Sequence, residues 1–198
     1  MSGQAAGPAR LVLLRHARAQ TDGCCAGQRM DPTLTVEGAA DADAAVSRLG
    51  ALFEVAQVVA SPALRARATA APWGGPVVID DDLAERDFGA WEGQPWTSLW
   101  AGVPAAVRED PAAYAAFTPP GGETLEEVDR RAWRAALRWT DEPGRTVLLV
   151  THAGPLRLIL GRAIGLAPPA TFALGAPHAH AAVLSRFGTA WTLDRLGA

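Results

Sequence analysis

The fold is decided by Leu11-Val12-Leu13-Leu14-Arg15-His16, a short apolar run that ends in two polar residues. Four consecutive apolar residues are typical of a strand that is buried on both faces of a sheet. The segment Thr146–Val150 has the same pattern and is followed by Thr151 and His152. The two segments therefore predict buried strands of a mostly parallel sheet, each of which delivers a histidine at its carboxyl end.

Predicted strands and helices alternate along the chain, which is typical of an α/β domain. The other predicted elements are a helix over Thr35–Gly50 capped by Thr35, a strand over Val55–Ala60, a helix opened by Ser61-Pro62 and running through Ala71, a short strand at Pro76–Ile79, short helical pieces over Pro104–Phe117, a long helix over Glu123–Thr140, a helix from about Pro155 to Ile164, and a strand pair at Ala182–Ser185 and Ala190–Leu193. We expect one domain over residues 1–198, a three-layer α/β/α sandwich with a mostly parallel central sheet. A small helical lid is expected as an insertion at about residues 92–122.

Composition and charge narrow the functional classes. The 198 residues carry a net charge of −3, which disfavours binding to nucleic acid or to a membrane surface, because both need a basic excess. All 18 basic residues are arginine, so no step of the chemistry can use a lysine nucleophile or base. Cys24 and Cys25 are adjacent, which disfavours a disulfide and a zinc site, and no run of about 18 apolar residues is present. These features predict a cytoplasmic protein.

Three polar residues are expected at the carboxyl edge of the sheet, where ligands bind in α/β folds. A single histidine at a strand end is usually structural, but His16 and His152 would point into one crevice. Arg65 follows the second strand on the first turns of a helix at the same edge, whereas Arg67 would face elsewhere. Together they indicate a site for an anionic ligand.

Six motifs in order resemble those of the histidine phosphatase (phosphoglycerate mutase-like) superfamily, and they cover about three quarters of the chain. They are Leu14-Arg15-His16-Ala17, Asp31-x-x-Leu34-Thr35-x-x-Gly38, Ser61-Pro62-x-x-Arg65-Ala66-x-x-Thr69-Ala70, Leu83-x-Glu85-Arg86-x-Phe88-Gly89-x-Trp91-Glu92-Gly93, Pro120-Gly121-Gly122-Glu123-Thr124 and Val150-Thr151-His152-Ala153-Gly154. Each motif is weak by itself, whereas six in family order are very hard to reach by accident.

The resemblance implies a role for each matching residue. His16 would be the nucleophile that forms a phosphohistidine, and Arg15, Arg65 and His152 would bind the phosphoryl oxygens. Glu85 would act as general acid and then as general base, with Asp87 and Glu92 as its local competitors. With two arginines to neutralise the phosphate, neither a metal ion nor another cofactor is expected.

Several positions leave alternatives open. Glu123 and Thr124 either contact the substrate or begin a helix, with Thr124 and Glu127 forming a capping box. His178 either lines the pocket or starts the last strand. Ala17 stands where the family usually has glycine, and would be tolerated if its backbone φ is negative. Arg18 and Ala19 stand where the family often has an acidic residue and a hydroxyl, so the usual contacts at these two positions are not expected.

Two other features are also ambiguous. Asp22, in place of a frequent asparagine, would have to point away from the phosphate, be protonated, or pair with Arg18. The tryptophans at 91, 96 and 100 either pack the lid or form an aromatic wall for a substrate ring, whereas those at 133 and 139 are expected in the core.

The resemblance favours a phosphomonoesterase acting on a small phosphorylated metabolite, alpha-ribazole phosphate being one candidate. The alternatives are a phosphoglycerate mutase-type phosphotransferase, for which the chain looks short, and a phospho-ligand binding module without turnover. Dimers are common among relatives, so a homodimer is an open prediction.

Overall fold

Six strands form one mixed sheet within the part of the chain that the computed structural model describes, residues 7–110, 113–114 and 117–197. The strands are β1 Ala9–Arg15, β2 Gln57–Ala60, β3 Val77–Ile79, β4 Thr146–Thr151, β5 Ala181–Phe187 and β6 Ala190–Leu196. Their order is β3-β2-β4-β1-β5-β6. The pairs among the first four strands are parallel, and β5 and β6 are antiparallel additions at one edge.

Helices cover both faces of this sheet. The α-helices are α1 Val36–Leu52, α2 Leu64–Ala70, α3 Trp96–Gly102, α4 Ala105–Glu109, α5 Leu125–Trp139 and α6 Ala153–Ala163, and 3₁₀ turns occupy Ala71–Trp73, Asp81–Leu83, Gly89–Trp91 and Pro168–Ala173. Val12 and Leu14 of β1 belong to one apolar core with α1 and α2, whereas Leu11 and Leu13 belong to a second core with α5 and α6. Alternate residues of a strand point to opposite faces, so the predicted three-layer α/β/α sandwich is confirmed.

The helix after β2 begins later than the sequence predicts. Its first residue is Leu64 and its N-cap is Ala63, which makes no side-chain capping bond. The expectation that Ser61-Pro62 opens this helix is therefore wrong. The Ser61 hydroxyl is turned instead toward His152, a residue 91 positions along the chain. A serine before a proline is a local helix signal, and this tertiary bond outweighs it.

Backbone bonds tie the first part of the expected lid to the loop after β1. Cys25 exchanges hydrogen bonds with this segment, donating to the carbonyl of Gln94 at 2.9 Å and accepting from Gly93 N at 2.9 Å, and Trp96 N donates to Gly23 O at 3.0 Å. Of the helical pieces predicted over Pro104–Phe117, α4 is present, and positions 111, 112, 115 and 116 lie outside the described residues. Among the described residues, no helix is both long and apolar enough to span a membrane.

Candidate active site

The pairing of β1 with β4 brings the two histidines together. Arg15 pairs with Thr151, and the amide of His16 donates to Thr151 O at 2.8 Å. The rings of His16 and His152 therefore lie side by side, with centroids 5.0 Å apart and planes inclined at 62°. The structure thus brings together the two histidines that sequence spacing predicted at one edge.

His16 is oriented by the carbonyl of the next residue. Its Nδ1 lies 2.7 Å from Ala17 O, and a carbonyl can only accept, so Nδ1 carries the proton and Nε2 keeps a free lone pair. Burial lowers the pKa of His16 to about 3, and the positive charges of Arg65 and Arg15 contribute to this shift. The imidazole is therefore neutral near pH 7, as a nucleophile requires.

Main-chain carbonyls hold the two arginines. Arg65 is 1% exposed, and its NH2 donates to Gly27 O at 2.8 Å. Arg15 NH1 donates to Ala176 O at 2.6 Å. Burial lowers the pKa of both guanidiniums, but the intrinsic pKa of arginine is high enough to keep them charged. Two fixed positive charges thus flank the neutral imidazole.

Two buried nitrogens in this region lack hydrogen-bond partners among the described residues, Arg15 Nε and His152 Nδ1. The other ring nitrogen of His152, Nε2, lies 2.7 Å from Ser61 Oγ. Burial lowers the pKa of His152 well below its ordinary value, so its ring is neutral as well. Buried polar nitrogens are nearly always bonded, so unpartnered ones beside a cavity suit the oxygens of a ligand.

Glu85 is the carboxylate that faces this region. Its Oε1 accepts from the amide of Arg86 at 2.9 Å, and its Oε2 lies 3.4 Å from the amide nitrogen of Gly154. A side chain at Gly154 would overlap Oε1, so glycine there leaves room for the carboxylate. The competitors are occupied elsewhere, since Asp87 accepts from Gly89 N and Glu92 accepts from the amides of a loop at residues 28–30.

A cavity of about 460 Å³ opens over these groups. Its lining includes Arg15, His16, Arg65 and Glu85. His152 is fully buried and is not part of the lining, but its ring is in contact with that of His16. His178 also lines the cavity, with its ring 5.3 Å from that of His16, centroid to centroid. Burial lowers its pKa to about 4, with Arg15 and Arg18 adding to the effect. Of the two alternatives for His178, the structure favours the pocket position.

Sequence reasoning did not find several of the lining residues, among them Arg157 and Phe172. Arg157 lies three residues after Gly154 on α6, so the helical period places it on the face that Gly154 turns toward the site. That spacing was a usable signal. Phe172 belongs to an irregular 3₁₀ turn, for which no local pattern indicated the cavity.

Glu123 and Thr124 lie outside the cavity lining. Glu123 forms an ion pair with Arg131 at 2.8 Å, and its Oε2 also accepts from the amide of Asp87 at 2.9 Å. Thr124 caps α5, and its capping box with Glu127 is complete. The helix-start alternative is confirmed, and the geometry gives no support to direct substrate contact by either residue.

The departures from the family pattern leave the phosphate end intact. Ala17 is not among the described residues with positive φ, and its amide donates to Thr69 Oγ1 at 2.9 Å. Asp22 has a left-handed backbone, with φ of 50°, and is exposed outside the cavity lining. Of the three expectations for Asp22, pointing away from the phosphate fits this position. Within the described ranges, no group of three or more metal-ligating side chains is arranged to hold a metal ion.

The fold and the site define a class, an α/β protein whose cavity is lined by two arginines and by an imidazole with a free ring nitrogen. A profile of the histidine phosphatase superfamily (branch 1) matches residues 11–198. The chain belongs to this superfamily.

Several of the proteins that this chain is similar to are named as phosphatases. A glucosyl-3-phosphoglycerate phosphatase of Mycobacterium tuberculosis is 36% identical over 169 residues, which cover 73% of this chain and 70% of that one. The solved alpha-ribazole phosphatase of Shigella flexneri has a TM-score of 0.80 at 25% identity, covering 96% of each chain. A bifunctional protein of Mycobacterium tuberculosis is 36% identical over 79% of this chain, but the match covers 44% of that protein's length. The chain thus spans less than half the length of that relative.

Proposed function

We propose that this chain is a metal-independent phosphomonoesterase that acts through a phosphohistidine at His16 on a small phosphorylated metabolite. One observation carries the proposal: the free Nε2 of a neutral, buried imidazole lies in a site flanked by the buried Arg65 and the half-buried Arg15. The names of the relatives support the same reaction class.

The first step is transfer of the phosphoryl group to the protein. The Nε2 lone pair of His16 attacks phosphorus, and the bond from phosphorus to the ester oxygen breaks. Glu85, in its protonated form, gives its proton to the leaving oxygen, so the alcohol leaves neutral. Arg15, Arg65 and the Nδ1 edge of His152 stabilise the charge that spreads over the three other oxygens.

The second step returns the enzyme to its starting state. The Glu85 carboxylate takes a proton from a water molecule as its oxygen attacks phosphorus, and the bond from phosphorus to Nε2 breaks. Inorganic phosphate leaves, His16 is again neutral, and Glu85 is again protonated for the next cycle. The positive charge that this reaction needs comes from arginines, which is why we propose no metal.

Two other functions are distinguished by their products. A mutase-type phosphotransferase would convert 3-phosphoglycerate to 2-phosphoglycerate without releasing phosphate. A binding module would bind phosphate and turn over no ester. For the hydrolase, alpha-ribazole phosphate is the first natural substrate to test, because a solved structure with the same fold is named for that activity.

The test is hydrolysis of p-nitrophenyl phosphate in excess EDTA by the wild type, His16→Ala and His180→Ala. His180 is the control histidine, because it is exposed and outside the cavity lining, and its ring contacts the main-chain carbonyl of His178 rather than a side chain of the site. We expect turnover by the wild type and His180→Ala, and loss of at least about 10³-fold in His16→Ala. Full activity of His16→Ala would disprove the phosphohistidine mechanism, and loss of turnover in EDTA would disprove metal independence.

A further inference from the structure

Beyond its phosphate end, the cavity has an aromatic wall. Four half-buried rings line it, those of Phe88, Trp96, Tyr114 and Phe172. Leu125 and Val128 of α5 add aliphatic surface to the same lining. The phosphate groups of a substrate cannot use this surface, so it is available to the alcohol portion of the ester.

The four rings do not lie on one face of a single helix. They form two pairs, and the rings of each pair pack against each other. Phe88 and Trp96 meet edge to face, with centroids 5.6 Å apart and planes at 88°. Tyr114 and Phe172 do the same at 5.3 Å and 80°. Edge-to-face pairs leave ring faces and edges free for a further ring. The other two lid tryptophans do not line the cavity. Trp91 stacks on Phe117, whereas Trp100 is exposed and meets the ring of Tyr114 edge to face.

The same lining is poor in the carboxylates and amides that accept hydrogen bonds from sugar hydroxyls, although Thr21, Arg18 and His178 add polar groups near the phosphate end. Among the described residues that line the cavity, Glu85 is the one carboxylate, and none is an asparagine, glutamine or aspartate. Arg86 is already engaged, because its guanidinium donates to Glu123 O and Phe117 O at 2.8 Å each. A polyhydroxylated alcohol portion would find one carboxylate and no side-chain amide to accept from its hydroxyls among these residues, which favours a less polar alcohol portion.

We propose that the alcohol portion of the substrate carries an aromatic ring that binds against Phe88, Trp96, Tyr114 and Phe172. This inference rests on the proposed function only in calling the ligand a substrate. Binding of an aromatic ring in the cavity can be measured without turnover. The lining also contains Arg157, whose Nε is bonded to Leu174 O at 2.8 Å, while the rest of its guanidinium has no hydrogen-bond partner among the described residues. A cation at this position can lie over the face of a bound ring.

The binding test uses phosphonates, whose carbon–phosphorus bond is not hydrolysed. The dissociation constants of 2-phenylethylphosphonate, n-propylphosphonate and a glycerol-derived phosphonate are measured by calorimetry. We expect the phenyl compound to bind at least about tenfold more tightly than either of the others. Equal affinities for the phenyl and propyl compounds would overturn the inference, and tightest binding of the glycerol compound would assign the cavity to polar alcohols.

Variants test whether the aromatic wall causes the preference for the phenyl compound. Trp96→Leu and Phe172→Leu keep an apolar side chain but remove a ring, and Trp191→Leu is the control, since Trp191 packs on Trp133 away from the cavity. We expect the first two variants to lose most of the phenyl preference with little change for n-propylphosphonate. A preference that survives in both would overturn the assignment.

Hydrolysis of 2-phenylethyl phosphate and n-propyl phosphate distinguishes a failure of this inference from a failure of the proposed function. Absence of turnover with a retained phenyl preference would contradict the phosphatase and leave the ring site standing. Turnover of both esters at equal kcat/KM would contradict the ring site and leave the phosphatase standing.

Discussion

Replacing Gly154 by alanine tests whether Glu85 is the general acid. A methyl group at this position would overlap Glu85 Oε1, a terminal atom of a flexible side chain, so the carboxylate must move while the backbone stays in place. Gly154 lies in the first turn of α6 without a positive φ, where alanine is the better helix former by about 1 kcal/mol. The variant is therefore expected to fold with unchanged or higher stability.

The size of the effect follows from what the carboxylate contributes. A catalytic group displaced by about 1 Å costs on the order of 10²-fold in rate, which is also the lower range for a general acid. We expect kcat for n-propyl phosphate to fall about 10²-fold. The rate of phosphoenzyme formation from p-nitrophenyl phosphate should fall far less, because its leaving group needs little protonation.

The assay is a rapid-quench burst with each ester, and Gly175→Ala is the control. A Cβ at Gly175 would meet nothing within 4 Å, so this variant should behave as the wild type. Full turnover of n-propyl phosphate by Gly154→Ala would refute the role given to Glu85. Equal losses of phosphoenzyme formation with the two esters would show that the methyl group disturbs phosphate binding rather than proton transfer.

Three other changes test the site and its support. Ser61→Ala removes the partner of His152 Nε2, and should lower kcat about tenfold with little change in KM, measured at steady state. His16 has a pKa of about 3 in the folded protein against an ordinary 6.5, so the unfolded chain binds a proton that the folded protein does not between these pH values. The free energy of unfolding should therefore fall as the pH drops below 6.5, by up to about 1.4 kcal/mol per pH unit, and His16→Gln should lessen the slope in urea titrations. Asp80→Ala removes a buried carboxylate that accepts from two side chains of α5, at a cost of about 2 kcal/mol in unfolding free energy, whereas the exposed Asp43→Ala should be neutral.

The elements that were predictable from sequence are those with a local cause. The strand pattern of Leu11–Leu14 and the cap at Thr35 depend on neighbouring residues, and both appear in the structure, with Thr35 Oγ1 accepting from Gly38 N. Ser61 was misassigned because its partner is 91 residues away, beyond the reach of local pattern. The wall of the cavity was only partly accessible for the same reason, since Phe172 meets Tyr114 across 58 positions of chain.

The site shows a similar division between local and tertiary information. His16 and Arg65 were expected at one edge because strand ends meet there, and the cavity contains both. The orientation of each was not accessible from sequence, because it depends on carbonyl oxygens of distant loops, such as Gly27 O for Arg65. A carbonyl carries no side-chain signal, so any residue type can supply it.

This dependence on the main chain explains why the departures at Ala17 and Asp22 give no physical reason for a loss of turnover. Ala17 contributes a carbonyl that orients His16 and an amide that donates to Thr69, and a methyl group changes neither while its φ is negative. Asp22 is exposed outside the cavity, so its charge does not face a bound phosphate at close range. A binding module without turnover was suggested by the departures from Ala17 to Asp22, which also include Arg18 and Ala19 of the cavity lining. The groups that the reaction needs lie elsewhere, on the strand ends and on Glu85, and the phosphatase is therefore the better hypothesis.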